Sequence, residues 1–159
     1  MMRRGILAAA ALAMAVAGEA AGGWQASLGE DPVDGLRRCL LQSDPVAVDD
    51  GHARTAAQVV YNGQAFLLVA NSPMDTAFGD LGVAVDAFPP LAPARFDGDR
   101  IAVFDQARRL EERFRRGAQA RFRMRFWPTW PSKGPIEIRF DLAGFSRGLA
   151  QLRDCDNPG

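Results

Sequence analysis

The plainest pattern along the chain is an alternation of period two. Ala120, Phe122, Met124 and Phe126 alternate with Arg121, Arg123 and Arg125. Further on, Ile136, Ile138, Phe140 and Leu142 alternate with Glu137, Arg139 and Asp141. Such spacing puts the apolar side chains of a strand on one face and the charged ones on the other. A fold at the Trp127-to-Pro135 segment makes the two apolar faces coincide, which predicts residues 119–126 paired antiparallel with 136–142. Phe122 and Phe140 are then buried, and Arg121, Arg123 and Arg125 exposed. The same register sets Arg125 opposite Glu137 and Arg121 opposite Asp141. The arginine row reads as a solvated face partly neutralised by the neighbouring strand, with a basic binding strip as the alternative.

Upstream the pattern is also mostly strand. Trp24 to Leu28 alternates and predicts a short first strand, with Trp24 in the core; Leu36 to Gln42 predicts a second, carrying Cys39. Val48-Asp49-Asp50-Gly51-His52 reads as a turn. Thr55–Tyr61 and Gln64–Ala70 flank Asn62-Gly63, a pair suited to a type I′ hairpin turn. Leu81–Ala87 and Arg100–Phe104 predict two further strands, separated by breaks at Pro89-Pro90 and Asp97-Gly98. Two helices complete the pattern. Asp105 is the expected cap of a helix over 106–116, where Ala107, Leu110 and Phe114 form one stripe and Gly117 the stop. Ser146 is the expected cap of a last helix running to about Arg153, on which Phe145, Leu149 and Leu152 recur at helical spacing. These elements predict a mainly β domain: two packed antiparallel sheets, as a sandwich or a distorted barrel, with one or two short helices, the last at the C-terminus.

The first residues have a different character. Arg3-Arg4 precedes an uncharged apolar run from Gly5 to Val16, and small residues follow at Ala15-Val16-Ala17 and Gly18-Glu19-Ala20. This anatomy predicts a secretory signal peptide over 1–20, cleaved near 17–21, and one β-rich domain over 21–159. The apolar run is shorter than the roughly 20 residues a membrane span needs, so no transmembrane segment is expected after cleavage. The expected location is therefore the periplasm or the medium. Outside the reducing cytosol, Cys39 and Cys155 most simply form one disulfide, two free thiols being the alternative. With 19 basic and 19 acidic residues, the balanced charge argues against a nucleic-acid partner.

Candidate chemistry is sparse. Gly144-Phe145-Ser146-Arg147-Gly148 matches the Gly-x-Ser-x-Gly elbow of α/β-hydrolases, but an acid and a His must follow the serine in that fold. The chain's one His, His52, lies far upstream, so Ser146 is read as a cap and no enzyme is expected. His52 after Asp49-Asp50-Gly51 lacks the spaced oxygen ligands of a calcium loop and reads as a surface turn. Two cysteines and one His supply no zinc site, so neither metal nor cofactor is expected. Glu111-Glu112 point apart on a helix, which suits no paired-carboxylate chemistry. The best candidate contact surface is the loop carrying Trp127, Trp130 and Lys133, whose indoles suit stacking on a sugar or anchoring a protein, the alternative being that one or both fold back over the end of the core.

The order of features carries a resemblance. An export signal, a Trp-led strand and Cys39-Leu40-Leu41-Gln42 come first. Phe114-Arg115-Arg116-Gly117, a strand ending in Trp127-Pro128, and Phe140 to Ser146 leading into Leu149-Ala150-Gln151-Leu152 follow. In this the chain resembles the invasion-associated locus B family of small exported bacterial proteins, over roughly residues 24–155 and most firmly at the C-terminal end. The resemblance implies a compact β-sandwich-like domain in the periplasm or outside the cell, linked in some members to host-cell invasion, with no catalytic residues to transfer. Together these readings predict a non-enzymatic envelope or secreted protein acting by surface contact with a protein or glycan partner. The alternative is a small carbohydrate- or ligand-binding module using the Trp-Pro loop.

Overall fold

A computed structural model describes residues 23–128 and 134–159. The expected signal peptide lies outside the described residues. Among the described residues, ten strands and two helices follow in order. They are β1 (Trp24–Glu30), β2 (Arg37–Ser43), β3 (Val46–Asp49), β4 (Arg54–Tyr61), β5 (Phe66–Ala70), β6 (Gly82–Val85), β7 (Arg95–Asp97), β8 (Ile101–Phe104), α1 (Ala107–Arg116), β9 (Gln119–Met124), β10 (Ile136–Asp141) and α2 (Phe145–Asp156). The larger antiparallel sheet runs β1-β2-β4-β5-β8-β7, with β3 beside β4, and the smaller runs β10-β9-β6. The expected two-sheet architecture with a C-terminal helix is the one the chain adopts.

The central strands of the larger sheet are buried on both faces, which explains their unbroken apolar triplets. Leu41, Tyr61, Phe66 and Phe104 are in register and face the main core. Val60, Leu67 and Val103 form a row on the opposite face, buried with Leu40 under Val33 and Ala65. A strand covered on both sides has no polar face to alternate with. In the smaller sheet one face carries the apolar side chains of the core. Val83, Val85, Ala120, Phe122, Met124, Ile138 and Phe140 are buried there, and Phe122 meets Phe104 and Phe140 edge-on at 5.5 Å between ring centroids.

The expected pairing of 119–126 with 136–142 exists, but its register is displaced by two residues. Arg123 stands opposite Glu137 and Arg121 opposite Arg139, where Arg125–Glu137 and Arg121–Asp141 pairs are expected. A shift of two keeps every side chain on its face, so hydrophobic patterning could not detect it. The cause lies on the other side of β9: Phe126 bridges Met74, and Arg125 turns to Asp80. Two short strands, β3 and β7, also escaped the alternation. β3 takes in Val48 and Asp49, which read as turn residues; the reversal itself begins at Asp50. At the Asn62-Gly63 turn only Gly63 has positive φ, 85°, so the turn is not type I′; instead Asn62 Oδ1 accepts the N–H groups of Gln64 and Ala65.

Both helices form where expected, with different starts. α1 is capped at Gln106, not Asp105, without a side-chain cap bond, and its stop, Gly117, is extended (φ −84°). Ser146 does not cap α2. The N-cap is Gly144, in the left-handed region at φ 86°, and Ser146 lies exposed in the first turn. The turn into α2 is set upstream, where Asp141 Oδ1 accepts the Ala143 N–H and the Leu142 carbonyl accepts the Phe145 N–H. Gly148 has its own reason. A Cβ there would lie 2.6 Å from Leu41 Cδ1 and 3.2 Å from Trp24 Cβ, so α2 rests directly on β1 and β2. Both glycines of the hydrolase-like motif thus have structural roles. Gly148→Ala should destabilise the domain by about 1–3 kcal/mol through overpacking, although alanine is the better helix former by about 1 kcal/mol. Urea unfolding that found the variant more stable would refute this packing.

The helices pack over an aromatic cluster. Trp24 packs edge-on against Phe145 at 5.1 Å, Phe114 lies 4.8 Å from Phe66, and Trp24 Nε1 donates to the Asp141 carbonyl at 2.8 Å. Cys39 and Cys155 form the expected disulfide, tying β2 to α2 with 6.0 Å between Cα atoms. Tyr61, the chain's single tyrosine, donates to Glu111 Oε2 at 2.9 Å. Burial first, and then Glu111, push its phenol from 10.0 up to about 12. A raised pKa means that the folded state favours the neutral phenol. That stability is intact below pH 10 and is lost as pH climbs through about 12. Ultraviolet titration should therefore show tyrosinate near pH 12 in the folded protein and near pH 10 in denaturant, and coincident curves would exclude the Tyr61–Glu111 bond.

Candidate functional site

Four arginines, Arg121, Arg123, Arg125 and Arg139, stand on the outward side of β9 and β10. In register across it lie Glu137, Arg123 and Gly82, then Arg139, Arg121 and Ala84. Ala84 is too small to fill the space beside Arg121, while at Gly82 the Leu91 backbone packs so closely that a Cβ would lie 2.7 Å from its carbonyl oxygen. A cleft of about 270 Å³ results, lined by Arg121, Arg123, Glu137, Ala84, Phe88 and Pro90 among others.

The charges on this face are held differently from one another. Arg125 is largely covered and grips Asp80 with two bonds, Nε at 3.0 Å and Nη2 at 2.7 Å, while lying 4.1 Å over the Phe78 ring. Its guanidinium holds the Asp80 carboxyl below the usual range. The expected exposure of Arg125 is thus corrected: one end of the arginine row is an ion pair under an aromatic ring. Arg121 Nη2 donates to the Asp86 carbonyl at 2.8 Å. Glu137, across the ladder from Arg123, turns along its own strand to Arg139 at 2.8 Å. The Arg123 side chain makes no hydrogen bond or ion pair with the described residues, and its charge reaches Asp80 only through space.

Aromatic rings stand at both ends of the row. Phe88 is 48% exposed, and Arg113 of α1 steadies it from behind, 4.9 Å over the ring and donating to the Pro89 carbonyl at 3.1 Å. Phe78 is 40% exposed at the other end. Trp127, at the next outward position beyond Arg125, is 54% exposed. Of the predicted contact residues only Trp127 is described; Trp130 and Lys133 lie outside the described residues. The arginines were legible in the sequence, but Gly82, Ala84 and Phe88 were not. Their part depends on β6 pairing with β9 from nearly 40 positions away.

The other candidates are placed as follows. Asp50 builds its turn by accepting N–H groups from His52 and Ala53 and a hydroxyl from Ser72 at 2.7 Å. The Ser72 bond first, then the backbone bonds, lower its carboxyl to about 2. The His52 ring lies 3.4 Å from the Pro128 carbonyl. Ser146 sits beside Arg108, Glu111, Glu112 and Arg115 of α1. Among the described residues no cluster of three His, Cys, Asp or Glu side chains is placed to hold a metal ion, and no helix is long and apolar enough to cross a membrane.

Comparison with known proteins yields no match to a family model, a curated protein or a solved structure.

Proposed function

We propose that this chain is an exported, non-enzymatic binding protein of the bacterial envelope or its surroundings, acting by surface contact with another protein. The observation that carries this reading is the outward face of the smaller sheet, where Arg121 and Arg123 line a cleft walled by Phe88, and the exposed Phe78 lies beyond them against Arg125. Arginine and aromatic side chains are the groups that anchor interfaces most often. The β2–α2 disulfide suits an oxidising compartment, and the resemblance to the invasion-associated locus B family supports the same location.

The test is affinity capture from the envelope of the source cell with wild type and an Arg121→Glu/Arg123→Glu variant. A partner held by wild type and lost by the folded variant supports the reading. Equal capture by both moves the contact surface elsewhere. The exposed indole of Trp127 favours a second reading, a carbohydrate-binding module. Binding on a glycan array that is lost in Trp127→Ala and kept in the arginine variant would establish the second reading in place of the first.

A further inference from the structure

We infer that the cleft on the smaller sheet receives an extended acidic segment of a partner polypeptide, with two alternate carboxylates on Arg121 and Arg123 and an apolar neighbour against Phe88. The inference rests on the contact-surface reading above and names the occupant.

Spacing is the first argument. Arg121 and Arg123 are two residues apart on one strand, roughly 6.5–7 Å at the rise of a β-strand. Alternate side chains of an extended peptide repeat at the same distance, so a segment lying along β9 presents one carboxylate to each guanidinium. Arginine suits this role because its planar fork takes both oxygens of a carboxylate.

Availability is the second. Glu137 is turned to Arg139, and Asp86 spends its carboxylate on the N–H groups of Ala118 and Gln119 at 2.9 and 3.1 Å. Arg121 is anchored through a neutral carbonyl, which orients it without cancelling its charge. Ala84 leaves the space beside Arg121 open, the Leu91 backbone packs onto Gly82 beside Arg123, and the Arg113–Pro89 bond keeps the Phe88 wall upright.

The third argument excludes other anions. Asp80 and Glu137 line the same cleft, so an unbroken run of negative charge, as in a nucleic acid, a polyphosphate or a sulfated polysaccharide, meets carboxylates as well as guanidiniums. A peptide in which acidic and apolar residues alternate avoids that repulsion. The volume, about 270 Å³, is just below the roughly 300 Å³ at which pockets begin to enclose a whole drug-sized ligand. It fits a few side chains of a larger molecule laid across the face.

The test is a nuclear magnetic resonance titration of the isotopically labelled protein. The probe is the blocked pentapeptide Val-Glu-Val-Glu-Phe. Controls are its isomer Val-Val-Glu-Glu-Phe, a version with Lys for Glu, tripolyphosphate and a heparin oligosaccharide. Expected are shifts at the Arg121 and Arg123 side-chain N–H groups and at Ala84, at least fivefold weaker binding in Arg121→Gln/Arg123→Gln, and no response to the Lys version. The other resonances of the variant, unchanged, establish that it is folded. Equal binding by the isomer overturns the alternate-residue geometry, and equal binding by tripolyphosphate or heparin at these residues overturns the choice of a polypeptide. If no probe binds while envelope capture still depends on the two arginines, the contact surface stands and the extended acidic segment is refuted.

Discussion

Replacing both cysteines, Cys39→Ala with Cys155→Ala, should lower the unfolding free energy by as much as about 4–5 kcal/mol, the largest single effect expected for this domain. The partners are 116 positions apart in sequence, so the bridge removes a very large number of conformations from the unfolded chain. It also joins an interior strand of the larger sheet to the helix that rests on its first two strands. Urea unfolding of the oxidised protein, the reduced protein and the double variant provides the measurement. The reduced and doubly substituted forms should unfold at similar, lower denaturant concentrations. A loss below about 1 kcal/mol would mean that the unfolded chain is already held compact without the bond.

Phe122→Ala should cost about 3–5 kcal/mol, the usual range for deleting a fully buried ring. Phe122 occupies the middle strand of the smaller sheet, in register with Val83 on one side and Ile138 on the other, and its ring touches Phe104 of the opposite sheet. Its loss opens a cavity that both sheets line. The adjacent Arg123→Ala, on the outward face, should change stability by less than about 0.5 kcal/mol. The contrast between neighbouring positions, read by chemical denaturation, tests the face assignment directly, and similar costs for the two would reject it.

The degree to which the fold was legible follows from the range of the forces involved. Face assignment in β9 and β10 was readable because alternation is local and Phe122 and Phe140 must go inward. Their register was not, because Arg125 and Phe126 answer to Asp80 and Met74, contacts that no local pattern announces. Helix positions were readable from Leu110, Phe114, Leu149 and Leu152. Helix starts were not, since Asp105 and Ser146 look like caps while the backbone turns at Gln106 and Gly144 do the work. β3 and β7 were missed because strands of four and three residues offer too few positions for a period to stand out. The candidate site divided in the same way. Its cations were visible in the β9 alternation. Its floor and wall became visible only once β6 lay alongside, putting Gly82 beside Arg123.

The weaving of the two sheets has a consequence in time. After β5 the chain leaves the larger sheet to lay down β6, returns for β7 and β8, and leaves again for β9 and β10. A chain emerging N-terminus first therefore offers β6 with no strand in its own sheet to pair with until β9 appears. Trp24 waits for the Asp141 carbonyl, and Cys39 for Cys155, almost to the end of the chain. Early segments can collapse, but none can finish alone, and contacts of such long sequence separation form slowly. The domain commits to its structure as a whole and only once its last strand and helix are present. The outward arginine face is thus complete only in finished molecules.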